Sequence, residues 1–91
     1  MGMKQKIMIV DDAEINRQIL MAILGDKYEY VQAENGCQAV HMLQHDLTID
    51  LILLDINMPE MNGFQVLDRM NTFHWINDIP VIMISSEEKK D

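Results

Sequence analysis

Positive charge, cysteine and long apolar runs are what this sequence lacks. Seven basic residues stand against fifteen acidic ones, for a net charge of −8. No basic stripe is available to displace counterions from phosphates, which argues against a nucleic-acid surface. The single cysteine, Cys37, excludes an internal disulfide framework and fits a reducing cytoplasm. The first apolar run, Ile7 to Val10, ends at two aspartates after four residues and is too short for a secretion signal. No run approaches the ~20 apolar residues of a spanning helix, and the acidity gives no signal for membrane binding. There is no linker, internal repeat or low-complexity stretch. What remains is a 48% hydrophobic chain of 91 residues, enough for one domain with a core and little stability to spare. Nine methionines, scattered over core-like positions, read as flexible core filler.

The hydrophobic pattern alternates between two periods. Lys6 to Val10 is a short apolar run with β-branched residues and reads as a strand. A helical stretch from Asp12 or Ala13 to Leu24 follows, with Ile15, Ile19, Ala22 and Ile23 as its expected inner face, and Gly25 ends it. Tyr28 to Ala33 alternates as a more exposed strand, and Asn35-Gly36 turns into a second helix, Cys37 to His45, with Ala39, Val40 and Leu43 inward. Ile49 to Leu54 hardly alternates, so it reads as a strand buried on both faces. The segment 58–63 is a loop, and Phe64 to Asn71 is a third helix with Phe64, Val66, Leu67 and Met70 as its apolar set. Ile79 to Ile84 is a fourth strand opened by Pro80, and Ser85 to Asp91 could begin another helix. Strands alternating with helices predict βαβ units and a parallel sheet.

In a parallel sheet the C-terminal strand ends share one edge, where ligands bind. The first strand runs into Asp11 and Asp12, the third into Asp55, and the fourth into Ser85 and Ser86. Three segments therefore deliver three carboxylates and a hydroxyl to one edge. Carboxylates ~5 Å apart repel by roughly 1–3 kcal/mol per pair, so a small domain needs a compensating cation there. Oxygen ligands without histidine or thiol suit a hard ion, and a site left open for a phosphoryl group suits Mg2+. With a nucleophilic carboxylate alongside, the set is a phosphoryl-transfer arrangement. The competing reading makes these aspartates loop-starting caps, and Asp12 alone could be a helix N-cap.

The segments IMIVDDAEINR (7–17), AENG (33–36) with Ala39, LILLDINMPEMNGFQVL (51–67) and IPVIMISS (79–86) resemble the receiver domain of two-component response regulators, in order and in spacing. The aspartate doublet together with D-x-N-M-P-x-M-x-G is highly specific, and the resemblance covers essentially the whole chain. It implies a flavodoxin-like, doubly wound α/β fold with strand order 2-1-3-4 for the part present. It implies that Asp55 accepts a phosphoryl group from a histidine kinase or phosphotransfer protein. Asp12 would ligate Mg2+ directly, Asp11 would assist partly through water, and Asn57 would offer its backbone carbonyl. Ser85 would bond the phosphoryl group and relay the switch with Ser86 beside it, while Pro59 and Gly63 would shape the loop.

A complete receiver continues through a fourth helix, a fifth strand and a fifth helix, with an essential lysine near the fifth strand. Residues 1–91 are therefore expected to form the N-terminal part of a single receiver domain, with Lys89 and Lys90 wrongly placed to be that lysine. Phosphorylation of such a chain alone is expected to be slow or absent. A bared apolar face and an open fourth strand predict a homodimer. Two other readings compete. A haloacid-dehalogenase-type hydrolase needs a second aspartate two residues after the nucleophile, where Asn57 stands. A non-catalytic receiver-like interaction module differs in taking no phosphoryl group. Cys37, His41 and His45 have metal-ligand spacing, but read as a partly exposed helix stripe. His74 and Trp75 read as loop packing beyond the third helix.

Overall fold

The two central apolar runs, rich in Ile, Leu and Met, become strands that are covered on both sides, whereas the edge strands are only partly covered. The computed structural model describes residues 4–85. Their order is β1 (Lys6–Val10), α1 (Glu14–Leu24), β2 (Glu29–Ala33), α2 (Gly36–His45), β3 (Leu51–Asp55), α3 (Gly63–Thr72), a 3-10 turn (Trp75–Asn77) and β4 (Val81–Ile84). The four strands form one parallel sheet in the order β2-β1-β3-β4, as the sequence led us to expect. The segment after Ser85, including the expected helix start, lies outside the described residues.

Alternation along the strands splits the core between the two sheet faces. Met8, Val10, Ile52 and Leu54 face α2 and α3, where Ala39, Val40, Leu43, Val66 and Met70 complete the larger cluster. Ile7, Ile9 and Leu53 face the other way, toward Leu20, Met21 and Leu24 of α1. Each fully buried large side chain contributes roughly 1.5–3 kcal/mol, so the α2–α3 side carries most of the stabilisation. Met8, Met58 and Met70 are buried, and Met42, Met61 and Met83 pack against them, which bears out methionine as core filler.

One expected helix face is wrong, and a second, on α3, holds for Val66, Leu67 and Met70 but not for Phe64. On α1, Ile15, Ile19 and Ile23 are 65%, 49% and 73% exposed, and Ala22 is exposed too. The inner face is instead Arg17, Leu20, Met21 and Leu24: the three apolar residues pack on Ile7, Ile9 and Leu53, and Arg17 bonds Asp11 O at the sheet edge. On α3, Phe64 is 60% exposed, since Val66 and Met70 occupy the face that meets the sheet and α2. Smaller departures are at element ends. β3 starts at Leu51, because the Asp50 carboxylate accepts the Lys6 backbone N–H at 2.8 Å. β4 starts at Val81, one residue after Pro80. α1 does end at Gly25, whose φ of 87° and N–H bond to Met21 O at 2.9 Å close the helix.

Candidate functional site

The register brings the acidic residues together. Val10 pairs with Leu54, so the next residues on the two strands, Asp11 and Asp55, emerge side by side at one sheet edge. One carboxylate oxygen from each of Asp11, Asp12 and Asp55 lies within 4.8 Å of the others. Asp11 and Asp55 are 3% and 2% exposed, while Asp12 is open to solvent. Asp12 is not a helix cap: the N-cap of α1 is Ala13, without a side-chain cap bond. The cap reading therefore fails for the residue that fitted it best.

Asp11 is held at every polar atom. Its N–H donates to Ala33 O at 3.1 Å, and its carbonyl accepts from Arg17 Nη1 at 2.7 Å. Its Oδ1 accepts from the Ala13 N–H at 2.9 Å, and the Asn16 amide approaches both carboxylate oxygens at 3.4 Å. Asp55 Oδ1 accepts the Asn57 N–H at 3.1 Å. Sequence reasoning missed Arg17 and Asn16. The available signal for Arg17 was its position three residues before Leu20, on what proves to be the apolar face.

The loop after Asp55 is pinned at both ends. Met58 is buried and Met61 packs on the core, while Glu60 between them takes the left-handed conformation with φ 66°. A Cβ at Gly36 would come within 2.7 Å of Met61 O, so the loop lies directly against the start of α2. Gly63 is as restricted: its N–H donates to Ile56 O at 3.0 Å, and a Cβ there would lie 2.6 Å from Asp55 O. Asn62 and Gln65 form a reciprocal capping box that starts α3 at this point. Pro59 is exposed on the loop. Ile56 N–H donates to Ile84 O at 3.0 Å, so Ser85 follows β4 at the same edge and is exposed; Ser86 lies outside the described residues.

The donor set fits a hard cation. Mg–O bonds of about 2.1 Å in an octahedron put opposite ligands about 4.2 Å apart. A 4.8 Å spread closes on such an ion with a small inward movement, or with one carboxylate acting through water. A cleft of about 190 Å³ lined by Asp11, Asn16, Ile19, Leu20 and Ile84 opens beside the carboxylates. Cys37, His41 and His45 are exposed on α2, with the two imidazole centroids 4.7 Å apart, as the stripe reading expects. Trp75 stacks on Phe73 at 4.8 Å, away from the carboxylates. No helix among the described residues is long and apolar enough to cross a membrane.

Comparison with known proteins gives a consistent result. Residues 7–91 match the family model described as the response regulator receiver domain. The two-component response regulator ORR3 of Oryza sativa is 33% identical over 82 residues, covering 89% of this chain. That match spans 63% of the ORR3 length. The solved chemotaxis protein CheY4 of Vibrio cholerae superposes with a TM-score of 0.82 at 30% identity, covering 96% of this chain and 72% of that one. The CheX–CheY–BeF3–Mg2+ complex of Borrelia burgdorferi gives 0.84 at 32% identity, covering 98% and 67%.

Proposed function

The chain belongs to the response regulator receiver domain family, a family of signalling domains, and on that premise we propose that Asp55 is its phosphoryl acceptor. An Asp55 oxygen attacks the phosphorus of a phosphohistidine on a sensor kinase or phosphotransfer protein. The P–N bond breaks as the acyl phosphate forms, and the histidine leaves. Three carboxylates with ligand atoms within 4.8 Å, two of them buried, carry this reading. They create a place where added phosphate charge is tolerable only beside a cation.

Asp11, Asp12, Asp55 and the Asn57 carbonyl would hold Mg2+, which when bound supplies Lewis-acid neutralisation of the phosphoryl oxygens. The chain's own groups do the rest. The Asn57 N–H holds Oδ1 of the acceptor, and the burial of Asp55 keeps bulk water from the acyl phosphate. Ser85 donates its hydroxyl to a phosphoryl oxygen, with Ser86 beside it. Gly63 and Pro59 hold the loop that frames the acceptor. The Borrelia CheY, similar in sequence and fold, was solved with BeF3 and Mg2+, which supports the assignment. The protein acts in the cytoplasm as a signalling domain and turns over no substrate of its own.

Among the described residues the lysines are Lys4 and Lys6 at the start of β1 and Lys27 just before β2, all at the far end of the sheet, and Lys6 is engaged with Asp46 and Thr48. None of the three stands where the lysine that the family resemblance implies would meet the acceptor. The exposed Ile15, Ile19, Ile23 and Ile82 favour self-association of this chain, and with it the second reading, a non-catalytic interaction module. Labelling with a small-molecule phosphodonor and Mg2+ separates the two. Incorporation that is lost in Asp55→Asn is the expected result. Label that survives in Asp55→Asn refutes the assignment, and no label in a chain that binds Mg2+ favours the module.

A further inference from the structure

A buried guanidinium with no carboxylate partner is unusual, because arginine is rarely buried unless its charge is paired. Arg17 is 8% exposed. The single ion pair among the described residues is Lys6–Asp46, so Arg17 is not in one. Its directed donors go to two neutral oxygens instead. Nη1 donates to Asp11 O at 2.7 Å, and Nε donates to Gln32 Oε1, on the edge strand β2, at 2.9 Å.

The Asp11 carbonyl belongs to the peptide that joins Asp11 to Asp12. Its plane determines where the Asp12 side chain starts. The preceding peptide is fixed through the Asp11 N–H on Ala33 O, and this one is fixed through its carbonyl by Arg17, so the turn at Asp11 has little freedom left. Asp12 itself is exposed and is not a helix cap, so the neighbouring peptide is what directs it. We propose that Arg17 is a positioning residue of the metal site: by gripping the Asp11–Asp12 peptide and bracing against Gln32, it sets the affinity for Mg2+. The inference rests on the receiver reading given above.

Charge and position push in opposite directions here, which makes the role testable. The positive charge of Arg17 beside the carboxylates opposes a second cation, so its removal should tighten binding if charge dominated. The planar two-point fork should instead favour binding by preorganising a ligand, and lysine cannot reproduce that fork.

The test is calorimetric titration of the full chain with MgCl2, for the wild type, Arg17→Lys and Gln32→Ala, alongside urea melts in chelator. Positioning predicts a dissociation constant raised about tenfold in Arg17→Lys, the low end of the effect of outer-shell partners. Gln32→Ala keeps every charge, leaves the acidic set untouched and sits on an exposed edge position, so it folds even if Arg17→Lys does not. A severalfold weakening there supports the bracing role. Unchanged Mg2+ affinity in both variants, with only the urea midpoint lowered, makes Arg17 merely structural and overturns the proposal. Tighter binding on loss of the fork also overturns it. A wild type that binds no Mg2+ sinks the receiver-site reading itself, and is told apart because no variant is needed to see it.

Discussion

Removing the acceptor's charge should stabilise the metal-free protein. Asp55, Asp11 and Asp12 bring carboxylate oxygens within 4.8 Å of one another. Each pair at ~5 Å repels by roughly 1–3 kcal/mol for effective dielectric constants of 80 down to 20. Asp55→Asn removes two of the three pairs and keeps an amide oxygen to accept the Asn57 N–H. Solvent around the exposed Asp12 screens its share, which leaves a net gain of about 1–3 kcal/mol. Urea denaturation in chelator should show a higher midpoint with an unchanged slope. Magnesium should then reverse the order. A ligand at ten times its dissociation constant adds about 1.4 kcal/mol to a folded state that binds it, and the variant binds poorly. Asp68→Asn, an exposed change on α3 with the same effect on net charge, is the control and should do neither. An Asp55→Asn protein no more stable than wild type in chelator, or one that gains as much from Mg2+, refutes the electrostatic reasoning.

Gly63→Ala puts a Cβ 2.6 Å from Asp55 O and 2.9 Å from Ile56 Cα, so overpacking should cost about 1–3 kcal/mol by urea melt; equal stability would show that the α3 start can shift freely. The Asp46 carboxyl is lowered to about 2 by hydrogen bonds from the Thr48 side chain and N–H and from Lys6. Its contribution should therefore be complete above about pH 4 and lost as pH falls through the folded value, and Asp46→Asn should flatten the acid limb of the stability profile. At high concentration the chain should scatter light as a dimer, and a monomer would show that the exposed isoleucines of α1 do not drive association.

The sheet and the carboxylate cluster were legible because each rests on one local signal. β1, β3 and β4 are runs of apolar residues that stop at a polar one, and parallel pairing sends those stops to one edge. What was not legible depended on contacts between distant segments. Ile49 is buried yet precedes β3, because Asp50 leaves the apolar pattern to bind the Lys6 N–H. The 3-10 turn at Trp75–Asn77 follows a left-handed His74, a conformation that composition does not signal. The tightness of Gly36 and Gly63 depends on where Met61 and Asp55 come to lie, not on their neighbours in the chain.

Helix α1 shows the limit of periodicity most directly. Two apolar stripes are available on it, Ile15-Ile19-Ile23 and Leu20-Met21-Leu24, and both satisfy a helical repeat. At about 100° per residue, Leu20, Met21 and Leu24 lie within about 60° of Arg17, whereas the isoleucines lie roughly 120–160° away. Whichever direction Arg17 takes therefore decides which stripe meets the sheet. Its bonds to Asp11 O and Gln32 Oε1 are possible only from the sheet side, at the ends of β1 and β2. Periodicity left both stripes open, and the buried guanidinium lies on the side of the stripe that packs. The same bonds thus join the inner face of α1, which also packs through Leu20, Met21 and Leu24, to the peptide that carries Asp12, the link that the Arg17→Lys titration tests.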